Sequence, residues 1–207
     1  MLKSEVIQDA KRRMQPFPCE GFLHGEGNER ARVLFVGEAP GRTEIVTGKP
    51  FSGQSEKSFE AYLQLIGLSR EDIYVTSTVR SRPYKTDSKS IIKPVQERGN
   101  RTPSKREIAA HAVLLDETIA SIQPEIIVTL GRIALERLAG SQFKVSVQHG
   151  KPFCTKLRSY GSEGTYTRKN WSIVFPTYHP SAIFYRPAIK ETILDDMKEL
   201  KQLLTIL

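Results

Sequence analysis

Cysteine is nearly absent from this 207-residue chain, which carries only Cys19 and Cys154. Two thiols do not make a disulfide framework, and no CxxC pair offers a zinc ligand set. Long apolar runs are missing too. No window approaches the roughly 18 apolar residues that a membrane helix needs. The opening stretch, MLKSEVIQDAKRRM, lacks the apolar centre of a secretory signal. A cytoplasmic protein without membrane contact is therefore expected. Acidic residues are scarce in one place. Between Arg80 and Arg106 stand nine basic side chains and only two acidic ones, Asp87 and Glu97, and the whole chain has a net charge of +8. Clustered positive charge suits a polyanion, through phosphate contacts and counterion release. From charge alone, a solvated surface loop would look the same.

What is present is ordinary for one globular domain spanning residues 1–207: 39% hydrophobic and 26% charged residues, enough to bury a core. Four short apolar runs, 33–36 (VLFV), 73–76 (IYVT), 126–130 (IIVTL) and 173–176 (IVFP), are rich in Val and Ile and read as buried strands. Helical patterns lie between them. Phe59, Tyr62, Leu63 and Ile66 share a face that Gly67 terminates. Ser104 and Glu107 form a capping box ahead of Ile108, Ala112, Leu115, Ile119 and Ile122, and Pro124 stops that helix. A short helix is expected over 132–139 and a last one from about 188 to 205. Strand alternating with helix predicts a three-layer α/β/α fold around a central four-stranded parallel sheet. Residues 80–103 read as a long basic loop, and 141–170 as an excursion or a small hairpin.

Ligands of open parallel sheets bind beyond the carboxyl ends of the strands. After the first run comes Gly37-Glu38-Ala39-Pro40-Gly41. Ser77 to Pro83, with Arg80 and Arg82, follows the second. Gly131-Arg132 follows the third, and Thr177-Tyr178-His179-Pro180-Ser181 the fourth. A carboxylate, an imidazole, hydroxyls and arginines thus converge on one rim, a set able to do acid–base or electrostatic chemistry.

These segments resemble the uracil-DNA glycosylase superfamily, most closely its bacterial and archaeal family-4 branch. The resemblance rests on GEAPGRTE (37–44), TGKPFSG (47–53), GLSREDIYVTSTVRSRP (67–83), TPSKREI (102–108), IQPEIIVTLGRIALERL (122–138) and PTYHPSAIFYRP (176–187). It implies hydrolysis of the N-glycosidic bond to a damaged base in DNA, with the nucleotide flipped into a pocket. It further implies that Glu38 orients water or stabilises a cationic sugar, unless it merely caps the next turn, with Glu44 as a second acidic group. His179 would hydrogen-bond a pyrimidine carbonyl and Phe51 would stack on the base. Gly37, Ala39, Pro40, Gly41 and Ser77 would surround the base. Arg80, Arg82, Lys85, Ser181, Phe184 and Arg186 would contact DNA, with Ile183, Phe184 and Tyr185 where the family carries its wedge. A monomer with no obligate protein partner is expected.

Three departures from the family pattern stand out. Family-4 enzymes carry four cysteines for a [4Fe–4S] cluster. This chain has Cys19, Ser81 and His111 in that set, so no cluster, metal or other cofactor is expected. Ser77 stands where the family has an asparagine that reads the uracil edge, which predicts looser base discrimination, uracil or another deaminated base such as hypoxanthine. The link from residue 84 to 103 is longer than usual and is expected to order on DNA. No histidine lies between Ser77 and Arg106 to support covalent attachment to the abasic sugar. A non-catalytic nucleic-acid-binding relative using the same groove is the alternative. A nucleotide-processing enzyme on the same scaffold is a third reading, which the basic segment speaks against.

Overall fold

The computed structural model describes residues 2–161 and 164–207. The chain opens with α1 (Ser4–Met14) and two short strands, β1 (Cys19–Glu20) and β2 (Glu26–Gly27). β3 (Val33–Gly37) leads into α2 (Arg42–Thr47) and α3 (Glu56–Ile66). Next come β4 (Ile73–Ser77), β5 (Arg82–Pro83), α4 (Ser88–Ile91), a 3₁₀ turn (Val95–Glu97) and α5 (Lys105–Ile122). β6 (Ile126–Leu130), α6 (Arg132–Leu138) and α7 (Val145–Gln148) precede a hairpin of β7 (Phe153–Tyr160) and β8 (Tyr166–Thr177). A second 3₁₀ turn (Pro180–Phe184) and α8 (Ile189–Ile206) follow. No helix among the described residues is long and apolar enough to cross a membrane.

β4, β3, β6 and β8 are parallel neighbours, with Phe35 beside both Val75 and Val128, and Val128 beside Phe175. Every residue of β3 and β6 is buried, because helices cover both faces; that is why these strands read as unbroken apolar runs. Phe35, Val75, Val128 and Phe175 pack against Phe59 and Leu63 of α3 and Met197 and Leu200 of α8. Leu34, Val36, Ile127 and Val174 pack against Leu115 of α5 and Leu135 and Leu138 of α6. The capping box of α5 is formed as expected: Ser104 accepts the Glu107 N–H, and the Glu107 carboxylate accepts the Ser104 N–H. Gly67 ends α3 in the left-handed conformation (φ 78°).

The expected four-stranded sheet is in fact six-stranded, in the order β2-β4-β3-β6-β8-β7. Antiparallel strands extend it at both edges. β2 holds only two residues, too few for a periodic signal. β7 alternates exposed and buried positions along its first part, with Thr155 and Leu157 inward, so its composition looks like loop. The basic stretch also has structure of its own. β5 pairs with β1, Tyr84 bridges to Asn100, and Asp87 caps α4 by accepting the N–H groups of Lys89 and Ser90.

Arg80 and Arg82, expected on a DNA-facing surface, are instead 1% and 0% exposed. Arg80 donates to Thr118 Oγ1 at 2.9 Å, and its N–H donates to Nδ1 of His111 at 2.9 Å. Arg82 pairs with Glu20, donates to Asn100 Oδ1 at 2.6 Å and binds the Arg98 carbonyl. The Arg82 guanidinium ties the basic segment to the N-terminal region, and that of Arg80 is spent on α5, so neither is free to reach a phosphate.

His111 carries a pH consequence. Burial, and then the Arg80 charge, pull its pKa from 6.5 to about 4. The unfolded chain therefore binds a proton at this site that the folded one refuses, and stability is lost as pH falls from 6.5 through about 4. The expected result is a melting temperature that drops across this window and a shallower drop in His111→Asn, whose carbonyl still accepts the Arg80 N–H. Equal slopes for the two proteins would refute the assignment.

Candidate active site

The strand ends converge as expected. One cleft of about 800 Å³ is lined by the whole Gly37–Gly41 turn, Glu44, Phe51, Ser77, His179, Ser181 and Phe184. The turn hangs from β4's continuation: the Thr78 N–H and hydroxyl both donate to the Gly37 carbonyl, and the Val79 N–H to that of Glu38. Glu38 is half-buried. Burial raises its pKa, while a hydrogen bond from Thr102 and the positive charge of Arg132 act the other way.

Both oxygens of Glu44 are engaged by backbone donors. Its Oε2 accepts the Gly41 N–H and its Oε1 the Gly53 N–H, each at 3.0 Å, so it ties the Glu38 turn to the loop bearing Phe51. A Cβ at Gly41 or Gly53 would lie 2.6 Å or 2.8 Å from those oxygens and displace the carboxylate from its donors. Glu44, expected as a second acidic group of the site, thus braces the two cleft loops against each other.

Phe51 has a left-handed backbone (φ 49°), rare for an aromatic residue. Arg70 imposes it by donating to the carbonyls of Pro50 and Phe51 at 2.7 and 2.8 Å. The ring stacks on Phe59 (4.5 Å between centroids) and on His179 (5.4 Å). Phe51 is thus both core and cleft wall, and it holds the imidazole from the side.

His179 receives both donors of Ser181: the hydroxyl at 2.7 Å and the N–H at 3.2 Å meet Nδ1. Burial pushes its pKa down to about 4. At neutral pH the ring is therefore uncharged, and with Nδ1 accepting, its proton sits on Nε2. Ser181, expected on a phosphate, is engaged here. Gly131 (φ 87°) closes in behind, where a Cβ would lie 3.3 Å from that of His179.

Ser77 is 9% exposed, and its hydroxyl donates to the Val79 carbonyl at 2.7 Å. Facing the cleft it can only accept. Lys85 and Arg186 are exposed, as a DNA contact requires, but line no part of the cleft. Sequence reasoning missed His24, Gln54, Asn100 and Thr102, which also line it. Thr102 stands in the matched segment TPSKREI, where nothing in the sequence marks it apart from its neighbours.

A profile of the Uracil DNA glycosylase superfamily matches residues 24–200. The chain belongs to this superfamily. It is similar to the type-4 uracil-DNA glycosylase of Saccharolobus solfataricus, at 35% identity over 97% of this chain and 86% of that one. Similar proteins of the same type from Sulfurisphaera tokodaii and Archaeoglobus fulgidus are each 34% identical. They cover 98% and 88% of this chain, and 83% and 81% of their own lengths.

The iron–sulfur cluster implied for family 4 does not fit the residues present in this superfamily member. Cys19 donates to Glu107 at 3.4 Å, and burial followed by the Glu107 charge pushes its pKa up to about 12, away from the thiolate a cluster needs. Ser81 is buried and His111 already uses Nδ1 on Arg80. Among the described residues no group of three His, Cys, Asp or Glu could hold a metal ion. An ion pair occupies the region instead. Arg101 grips Glu107 in two-pronged fashion and also donates to the carbonyls of Pro18 and Tyr84. Burial alone would raise the Glu107 pKa, but Arg101 and the Ser104 N–H lower it to about 2.

Behind His179 lies a buried carboxylate that the sequence did not reveal. Asp196 of α8, 3% exposed, accepts from Thr177 Oγ1 at 2.6 Å and pairs with His149 Nδ1 at 2.9 Å. The His149 ring rests against Tyr178 at 5.1 Å. Thr177 and Tyr178, the two residues that deliver His179, are thereby clamped to the last helix.

Proposed function

We propose that this chain is a DNA glycosylase that hydrolyses the N-glycosidic bond of uracil in DNA and leaves an abasic site. The observation that carries the reading is one cleft holding a neutral Nε2–H donor, His179, and a desolvated carboxylate, Glu38. As the C1′–N1 bond breaks, its electron pair leaves with the base and charge gathers on a base carbonyl, where the Nε2–H stabilises it. Glu38 faces the cationic sugar and takes the proton of the water whose oxygen bonds to C1′. Phe51 walls the pocket. Exposed Phe184, Tyr185 and Arg186 supply the wedge and a phosphate contact.

Base preference follows from Ser77. With its proton committed to Val79, the hydroxyl can accept an imino N–H but cannot donate to an exocyclic carbonyl. Cytosine lacks that ring N–H but can still offer its exocyclic amino group to the hydroxyl, so this contact separates it from uracil only weakly. Uracil is accepted, and a deaminated purine with a ring N–H, such as hypoxanthine, is rejected only by size. Oligonucleotides carrying uracil, hypoxanthine or xanthine, treated with the protein and then alkali, test this. Uracil-dependent scission is expected. Its absence on every substrate, with DNA binding intact, would leave the non-catalytic binding alternative.

The Asp196 clamp gives a second prediction. Loss of one hydrogen bond in Thr177→Val is expected to lower the single-turnover excision rate about tenfold, with DNA affinity unchanged, while Thr177→Ser keeps the rate. In a His179→Ala background Thr177→Val should cost nothing further. An equal loss in both backgrounds would show a merely structural role.

A further inference from the structure

Residues 84–98 form a preassembled tip on the rim of the cleft. Asp87 caps α4 and also binds the Ser90 hydroxyl at 3.0 Å. Arg98 staples the far side: it donates to the carbonyls of Ile91 and Lys93, each at 3.0 Å, and lies over the Tyr84 ring at 5.4 Å. The base of the tip is fixed to the cleft wall. The Arg98 carbonyl accepts from buried Arg82 and, at 3.4 Å, from Arg42, which lines the cleft, and Lys85 N–H donates to the Gly99 carbonyl.

All this bonding holds out two apolar side chains. Ile91 is 59% and Ile92 82% exposed, and Lys85, Lys89 and Lys93 around them are exposed as well. Adjacent isoleucines held in water by an internally stapled loop have no role in the core. The surrounding lysines, none of them in an ion pair among the described residues, select a polyanion as their partner. We propose that this tip is a DNA-contacting finger, with Ile91 and Ile92 packing on the sugar and base faces of duplex DNA next to the flipped nucleotide and Lys89 and Lys93 meeting the flanking phosphates. The inference rests on the DNA-glycosylase reading for its setting, and it is testable by binding alone. Apolar side chains set against base steps stabilise an unstacked duplex, while a single strand needs no such support. The finger therefore favours double-stranded DNA.

The probe is a fluorescein-labelled duplex carrying a tetrahydrofuran abasic analogue, compared with the same strand unpaired, by fluorescence anisotropy. Ile91→Ser/Ile92→Ser, at exposed positions that leave the core untouched, is expected to weaken duplex binding about tenfold and single-strand binding little. Lys89→Glu/Lys93→Glu should lower the slope of log affinity against log salt by ~1.8, two phosphate contacts' worth. Equal effects of the isoleucine change on both strands, or none on either, would overturn the proposal. So would wild-type DNA binding together with a shift in sedimentation, which would assign the tip to a second copy of the chain. A wild-type protein that cleaves no uracil substrate while the isoleucine variant still loses duplex affinity would refute the glycosylase reading and leave the finger standing.

Discussion

Glu38→Gln is expected to lower the single-turnover rate of uracil excision by about 10²–10³-fold while DNA affinity holds or rises slightly. Glutamine keeps the shape and the hydrogen bond with Thr102, but it can neither accept the water's proton nor oppose the sugar's positive charge. The pH dependence supplies an independent check. Burial raises the Glu38 pKa above its ordinary 4.5, whereas that of His179 lies at about 4. The catalytic form has Glu38 ionised and His179 neutral, so on acidification Glu38 is the first of the two to leave it. The wild-type rate should therefore fall on the acid side through a pKa above 4.5, and the residual rate of Glu38→Gln should stay level until His179 takes up its proton near pH 4. An unchanged acid limb in the variant would remove Glu38 from the proton-accepting role.

His179→Ala is the second large effect, about 10²–10³-fold in rate, the usual cost of one donor aimed at developing charge. Its distinguishing feature is selectivity for the leaving group. A substrate whose base departs as a more stable anion, such as 5-fluorouracil, should recover much of the loss, because it needs less help at the carbonyl. Ser181→Ala tests the same point from behind. With only the backbone N–H left on Nδ1 the ring is less firmly held, and a smaller loss with the same leaving-group trend is expected. If 5-fluorouracil is lost as fully as uracil in His179→Ala, the imidazole does not serve the departing base.

Much of this site was legible because of where it lies. Buried parallel strands appear as apolar runs, and the polar residues that interrupt them at their carboxyl ends are the ones the sheet delivers to a single rim. Glu38, Ser77 and His179 each stand at or within two residues of a strand end, so their convergence needed no coordinates. The basic surplus was equally visible, but its direction was not. Arg80 and Arg82 look like Lys85 in composition, yet two of the three are sealed inside. Glu44 reads as a second acidic group of the site, and only the fold shows the two backbone N–H groups it bridges.

The sequence by itself determined the order of the four parallel strands and their main helices, and the rim on which the polar residues gather. These follow from local rules: periodicity, capping and the alternation of apolar runs with turn residues. Tertiary structure alone decided which polar groups remain free to act. Arg82 finds Glu20 from 62 residues away and Asp196 finds His149 from 47. Hydrogen bonds depend on separations of about 3 Å in space, and spacing along the chain does not encode them. For that reason Ser77, a hydroxyl able to donate or accept when read as a letter, becomes an acceptor only when the Val79 carbonyl closes on its proton.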